Sequence, residues 1–538
     1  DFTSEMNLSR IKTFLTRQNW SVTISRWTLL VIAASAIVLF FRLYQIGSVP
    51  AEPFSDHAEK ILDVYDITQG ETRIFFPRNT GREAIQMYWT LLVANVFGTG
   101  LSFLSLKLGT ALLGLLTLPY MYLLGKEVSN RRVGLMAMFL MGIAYWPNVI
   151  SRVGLRFPLY PLFVAPMLYY LLRGIRREDR NAFILSGIFL GLGAHGYSPF
   201  RIVPIVVVAA IGLYLLHKES RGKRQQVILQ LVVLAVIALM VFLPLGRYAL
   251  SHPEEFLERA SSRLGDSANP LPDLWWRVFA ENVWTGIKMF SVDNGAIWVH
   301  SIPGRPALDT VGGALFVIGI ALLLIRYLRK RNWLDLFLLL SILLLQLPST
   351  LSLAYPMENP SLNRTGGAAV VVFLVMALAL DGLWTGLRLR VNRKSTSAIA
   401  WSVTGLLLLL TVAQNYNLVF NEYATQFKLK AWNSSAMGEV IQQFEQVHGT
   451  TDSVWIVPYP HWVDTRLPGV WAGIPNRDFA LWPDRLAESM EVTGAKLFLV
   501  RSEDETSLMA LSELYPQGTI SKHISDVPGR DFWIFSVP

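Results

Sequence analysis

The most regular feature of the sequence is a series of apolar runs separated by short polar, often basic, stretches. Each run is about as long as an α-helix must be to cross a bilayer core of ~30 Å, roughly 20 residues. They lie near Trp27–Tyr44, Phe103–Leu124, Val133–Val149, Pro158–Leu172, Ala182–Tyr197, Ile202–Leu216, Val227–Leu245, Val311–Tyr327, Leu334–Leu353, Ala368–Trp384 and Ile399–Tyr416. The pattern predicts a polytopic α-helical membrane protein with about eleven transmembrane helices. After Tyr416 the pattern changes to amphipathic helix (Ser434–His448, Glu505–Tyr515) and short β-rich runs (Ser453–Val457, Lys496–Val500, Phe532–Val537), the alternation of a small α/β domain.

Basic residues orient the bundle. They cluster at Lys126/Arg131/Arg132, Arg173/Arg176/Arg177/Arg180, Lys218/Arg221/Lys223/Arg224, Arg326/Arg329/Lys330/Arg331 and Arg388/Arg390/Arg393/Lys394. With one crossing per run, all five fall on the side of the basic N-terminus, which the positive-inside rule makes cytoplasmic. Counting the apolar segment Ala84–Gly98 as a span would break this agreement, so it is read as an interfacial or re-entrant helix. No small-residue cleavage site follows the first run, which is read as an anchor and not a removed signal peptide. The expected organisation is a cytoplasmic segment 1–26, a transmembrane module 27–417 with outer loops 47–101 and 246–310, and an extracytoplasmic domain 418–538. This places the protein in a plasma (inner) membrane, multi-pass, with its C-terminal domain periplasmic or extracellular.

Composition agrees with the membrane reading: 52% of residues are hydrophobic and 16% charged, against about 25% charged in soluble domains. The net charge of +9 sits in the loop clusters and not in a nucleic-acid-binding stripe. Cysteine is absent, which excludes disulfides, thiolate metal sites and a cysteine nucleophile. There is no phosphate-cradling P-loop or dinucleotide-binding glycine motif. No cofactor and no metal are expected, and His195 has no second histidine at ligand spacing.

The candidate chemistry lies in the outer loops. Pro53-Phe-Ser-Asp56-His57-Ala-Glu59-Lys60 follows the first run. Ser55 can cap a helix with Asp56 in its first turn and Glu59 behind it, where both acids could simply stabilise the N-terminus. Alternatively a carboxylate at the lip of a membrane cavity serves as a general base. Glu83, just before the interfacial segment, poses the same choice. Arg152, Arg156, Arg201, Arg259 and Arg364 lie on the outer side, where the positive-inside rule does not account for them. Singly each can pair locally or snorkel; together they can form a bidentate site for a phosphate.

The order Asp56, Gly81-Arg-Glu83 before Tyr88-Trp89, Ser151-Arg-Val-Gly-Leu-Arg156, His195-Gly-Tyr-Ser-Pro-Phe-Arg201, Pro303-Gly-Arg-Pro-Ala-Leu-Asp309 and Pro360-Ser-Leu-Asn-Arg364 resembles the GT-C superfamily of membrane glycosyltransferases. The likeness is strongest to its protein O-mannosyltransferase/aminoarabinose transferase (ArnT/PMT)-like branch and covers roughly residues 27–420. The resemblance implies transfer of a sugar from a polyprenyl-phosphate donor to an extracytoplasmic acceptor (protein, lipid or glycan). It implies Asp56 as general base, with Glu83 and Glu59 as further acids, and Arg152, Arg156, Arg201 and Arg364 as donor-phosphate ligands. His57, Arg82, His195 and Tyr197 are further cavity candidates. Two departures stand out. The family's first-loop motif often reads Asp-Glu, and here His57 follows Asp56; and Tyr145-Trp-Pro-Asn148-Val-Ile-Ser151 in the second outer loop is neutral where some members carry an acid. Partners implied are the lipid-linked sugar, the acceptor and membrane lipids, with a membrane complex possible and no nucleic acid. A non-catalytic lipid-binding or scaffold subunit stays open as an alternative. A transporter or flippase would predict mid-span charges and paired broken helices, which the runs lack.

Overall fold

The computed structural model describes residues 25–267, 269–390 and 395–538; the basic N-terminal segment up to residue 24, and Arg393 and Lys394 of the last basic cluster, lie outside the described residues. Every one of the eleven apolar runs is helical. Among the described residues eight helices are long and apolar enough to span a membrane on length and composition alone, and a bent pair, Arg131–Ile143 with Tyr145–Arg152, makes a ninth. The other two, Leu159–Arg177 and Arg180–Ala194, fall short by being amphipathic or only 15 residues long. Helix starts carry the expected side-chain caps. Asn130, Asp179, Asp309 and Asn332 each accept backbone N–H groups of the first turn.

Burial is distributed according to sequence. Helix Arg224–Ser251 is the most apolar, yet only 11% of its central window is buried against protein, as a lipid-facing helix requires. Gly366–Leu389 is 83% buried in the same sense. Its run of Gly, Ala and Val permits this: the Gly367 backbone packs against the Tyr160 ring, where an added Cβ would come within 2.5 Å. Small residues let helix backbones approach closely in membranes.

The expected third span, Val133–Val149, is not one straight helix. It breaks at Ala144, with a 54° bend. Pro147 accounts for the break: in a continuous helix its ring would displace the carbonyl of Ile143, whereas in the first turn of a new helix no donor is required of it. Side chains take up several of the groups freed at the break. Asn148 Nδ2 donates to the Gly142 and Ala144 carbonyls (2.9 and 2.8 Å), and Tyr145 N–H donates to Asn415 Oδ1 (2.6 Å). Arg42, fully buried, donates to the Pro147 and Met141 carbonyls and to Ser151 Oγ. Backbone groups inside a bilayer have no water to turn to, so such partners are obligatory.

The segment Ile85–Phe97 is a short apolar helix of 13 residues packed on Phe103–Val128. Four basic clusters meet at one end of the bundle: Arg176, Lys223 and Arg326 line a single crevice, and Arg177 pairs with Glu127 (2.6 Å) beside Lys126. The C-terminal region lies at the other end. Helix Ala398–Tyr416 continues through a π-helical stretch, Asn417–Tyr423, to Lys430, beyond the point where hydropathy alone ends it. A four-stranded sheet follows in the order Val454–Ile456, Lys496–Arg501, Phe532–Val537, Thr519–His523; the first pair is parallel and the others antiparallel. Thr519–His523 escapes sequence detection because this edge strand is almost wholly exposed and polar, with none of the alternation that marks a half-buried strand.

Asn415 holds three groups at once: Tyr145 N–H, Asp309 Oδ2 (2.9 Å) and the Thr411 carbonyl. Asn415→Ala strands a backbone donor and a buried carboxylate, and is expected to cost ~2 kcal/mol or more, read as a lowered thermal midpoint in detergent.

Candidate active site

The first outer loop enters helix Ser55–Thr68 by an unforeseen cap. Phe54 is the N-cap residue, and the His57 ring replaces the expected Ser55 hydroxyl. Nδ1 of His57 accepts the Phe54 N–H (3.0 Å), so Nε2 carries the proton and donates to the Val153 carbonyl (2.6 Å). Burial, reinforced by the Lys60 charge, holds this histidine neutral, well below its ordinary range. His57 is therefore a hinge pin between the loop and the turn after Arg152, and does not face the cavity.

One residue earlier, Asp56 does. It lines a cavity of about 450 Å³ with Tyr197, Arg201, Arg259, Arg263, His300, Glu358 and Arg364. Burial opposes the charge on Asp56, but Lys60, Arg82 and Arg259 outweigh it and hold the carboxyl below the usual carboxylate range. Its Oδ1 accepts from Asn79 Nδ2 (2.9 Å). Asn79 reaches it from an unusual turn in which Asn79, Thr80 and Gly81 all have left-handed φ (48°, 62° and 80°). Asparagine and glycine tolerate this region, but threonine adopts it at a cost. Gly81 is required, because a Cβ there would fall 2.3 Å from the Phe75 ring. The same turn sends Thr80 Oγ1 to accept from Arg259 Nε (3.2 Å).

Glu83 is fully buried and does not line the cavity. Its two oxygens accept from Arg156 and Arg201, each at 2.8 Å. Burial raises its carboxyl, and the two guanidiniums more than offset this, keeping it ionised. Glu83 thus fixes Arg201, whose guanidinium also stacks 3.8 Å over the Phe256 ring and lines the cavity. Arg156 sits behind, against the Tyr197 ring. The arginines Arg263 and Arg364 share Glu358. Arg259 has no carboxylate partner among the described residues. The lining carries four arginines and two carboxylates, an excess of positive charge suited to an anion.

The remaining candidates are held elsewhere. Arg152 donates to the carbonyls of Phe41, Arg42 and Tyr44 (2.9, 3.0 and 2.6 Å) and ties the end of the first span to the bent pair. Arg82 pairs with buried Asp63 (3.0 Å). His195 Nε2 bonds the Val241 carbonyl (3.0 Å). Glu59, one turn after Asp56, pairs with Arg466 of the C-terminal region, which also binds Asp464 (2.7 Å). A second junction lies beside it: Glu52 accepts from Ser434 Oγ (2.8 Å) and Ser435 N–H (3.2 Å), capping helix Ser434–His448 from outside. The sequence reading missed Arg263, Glu358, His300 and Asn79. One signal was present: Arg259 and Arg263 stand four apart on the amphipathic helix Pro253–Leu264, and so share a face. Among the described residues no group of three or more His, Asp or Glu side chains has metal-holding geometry.

Known proteins share this fold. Residues 84–248 match the family model described as dolichyl-phosphate-mannose-protein mannosyltransferase. The structure superposes on ArnT from Cupriavidus metallidurans in the apo state with a TM-score of 0.57 at 13% identity, over 95% of this chain and 97% of that one. The chain has the ArnT fold. The undecaprenyl-phosphate-bound ArnT gives 0.55 at 12% identity, over 95% and 98%. Archaeal oligosaccharyltransferase AglB from Archaeoglobus fulgidus, in complex with an inhibitory peptide and a dolichol-phosphate, gives 0.54 at 13%, over 94% of this chain and 74% of that one. At such identities the solved structures share with this chain its fold. No curated protein matches the sequence.

Glu83→Gln is expected to destabilise the protein by about 3–5 kcal/mol, because it leaves buried Arg156 and partly buried Arg201 without their carboxylate. Thermal unfolding in detergent measures this, and Glu358→Gln, at a half-exposed pair, should cost far less.

Proposed function

We propose that this protein is a GT-C glycosyltransferase that moves a sugar from a polyprenyl-phosphate donor to an extracytoplasmic acceptor, with Asp56 as general base. The observation that carries the reading is the cavity, where an ionised carboxylate faces an excess of guanidinium charge in one enclosed space. Support comes from relatives of the same fold, whose structures hold undecaprenyl phosphate in ArnT and a dolichol-phosphate in AglB. The basic clusters gathered at the opposite end of the bundle support placing the cavity and the C-terminal region on the non-cytoplasmic side.

In this mechanism Asp56 takes the proton of the acceptor hydroxyl or amine as that group attacks the anomeric carbon. The bond from that carbon to the phosphate oxygen breaks, and the electron pair leaves with the lipid phosphate. One displacement inverts the anomeric centre. A phosphodiester donor carries one negative charge and the departing lipid phosphate gains a second. An excess of cationic charge therefore stabilises the leaving group more than the substrate, which is the condition for catalysis. Arg259 suits this role best, since no carboxylate neutralises it. Arg201 and Arg364 flank it, and Glu358 supplies the second cavity acid that the neutral Asn148 segment does not. The reading uses no divalent metal.

The test is release of free polyprenyl phosphate by the protein in lipid nanodiscs, from a panel of polyprenyl-phosphate sugars with cell-envelope acceptors. Asp56→Asn is expected to lower release by ~10²–10⁴-fold in a chain that still folds. Release unaltered by that substitution would remove Asp56 as the base, and no release by the native chain would favour the scaffold reading. Arg259→Gln is expected to lower kcat by roughly 10²-fold while folding is preserved. Chelation by EDTA is expected to leave release unchanged. The pH dependence follows from Asp56. A depressed carboxyl keeps its charge, and its contribution to stability, above the ordinary aspartate value of ~3.9 and loses both as pH falls through its folded value. The acidic limb should thus lie below pH ~4, and Asn79→Ala, which removes a hydrogen bond to the charged form, should move it upward.

A further inference from the structure

His300 stands apart from the other groups of the cavity. It lies in the loop between helices Trp275–Lys288 and Thr310–Lys330, lines the cavity and is 6% exposed. Its backbone is held firmly on both sides: Tyr423 OH donates to the Val299 carbonyl (2.7 Å), and Ile302 N–H donates to Tyr145 OH (2.6 Å). The imidazole meets the Phe157 ring edge-to-face at 5.5 Å. Its Nδ1 is buried and has no hydrogen-bond partner among the described residues. That nitrogen is sealed from the cavity, and Nε2, which makes no hydrogen bond among the described residues, is the one the ring can offer to a ligand. Burial, with the neighbouring Arg364 charge, lowers the pKa of this histidine to about 3, so the ring is neutral at physiological pH.

A neutral imidazole carries one donor and one acceptor, and which nitrogen holds the proton can exchange. A hydrocarbon chain offers it nothing. A phosphate only accepts, and Arg201, Arg259 and Arg364 already provide for it. A hydroxyl both donates and accepts, so it satisfies either tautomer. Resting on the glycosyltransferase reading above, we propose that His300 is a specificity-determining residue whose imidazole hydrogen-bonds a hydroxyl of the transferred sugar, held between the arginines and Asp56. Removing such a contact from a site built for a hydroxyl discriminates sharply between sugars.

Binding without acceptor separates this proposal from the reading it rests on. The full chain in nanodiscs would be titrated with undecaprenyl phosphate and with its mannose, glucose and N-acetylglucosamine esters, for the native protein, His300→Phe and His300→Asn. Phenylalanine keeps the contact with Phe157, and asparagine restores a donor and an acceptor. At least one ester should bind the native protein more tightly than undecaprenyl phosphate does. His300→Phe should lose about tenfold in affinity for that ester, bind undecaprenyl phosphate as the native protein does, and be rescued in part by His300→Asn. An ester advantage that survives in His300→Phe, or equal losses for ester and lipid phosphate, would overturn the role of His300 alone. No binding of any lipid phosphate by the native chain would overturn the transferase reading, and the role of His300 with it.

Discussion

Glu83 is the fixed point of the site. A carboxylate with no exposure to solvent is tolerable only when cations compensate it from close range, and here two do so at 2.8 Å, one to each oxygen. Those arginines come from different parts of the chain, Arg156 from the turn after the bent pair and Arg201 from the turn after Tyr197. The first outer loop, the second and the third are thereby locked at one point. From that lock, the backbone immediately before Glu83 runs through three left-handed residues to Asn79 and Thr80, which touch Asp56 and Arg259. The strain of that turn is sustained because both of its flanks are fixed.

The cavity electrostatics follow from the same arrangement. Behind the wall these charges have partners of opposite sign: Arg82 has Asp63, Arg156 has Glu83, and Arg466 has Glu59 and Asp464. The lining is not matched, and the imbalance centres on Arg259. A site that bound and released a neutral ligand would have no use for such an imbalance, because an unneutralised guanidinium at a half-buried surface is costly to hold.

The fold was largely legible, because the bilayer imposes a length and a polarity on every span. The break at Ala144 was also written in the chain, in Pro147, but hydropathy is blind to a proline between apolar residues. The site was less legible. Asp56, Arg201, Tyr197 and Arg364 stand out by position and do reach the cavity, whereas Arg152 and His57 stand out equally and serve the backbone instead. Sequence tells which side of the membrane a polar residue occupies, and not whether a carbonyl claims it first. Arg263 and Glu358 are neutralised by each other, and nothing in the local pattern of either marks that partnership across the loop.

The contact between Glu59 and Arg466 joins residues 407 positions apart, and Glu52 with Ser434 is nearly as distant. During synthesis, every span is made before Arg466 exists. The helix that carries Asp56 therefore gains its contacts at this flank only once the last part of the polypeptide has been made.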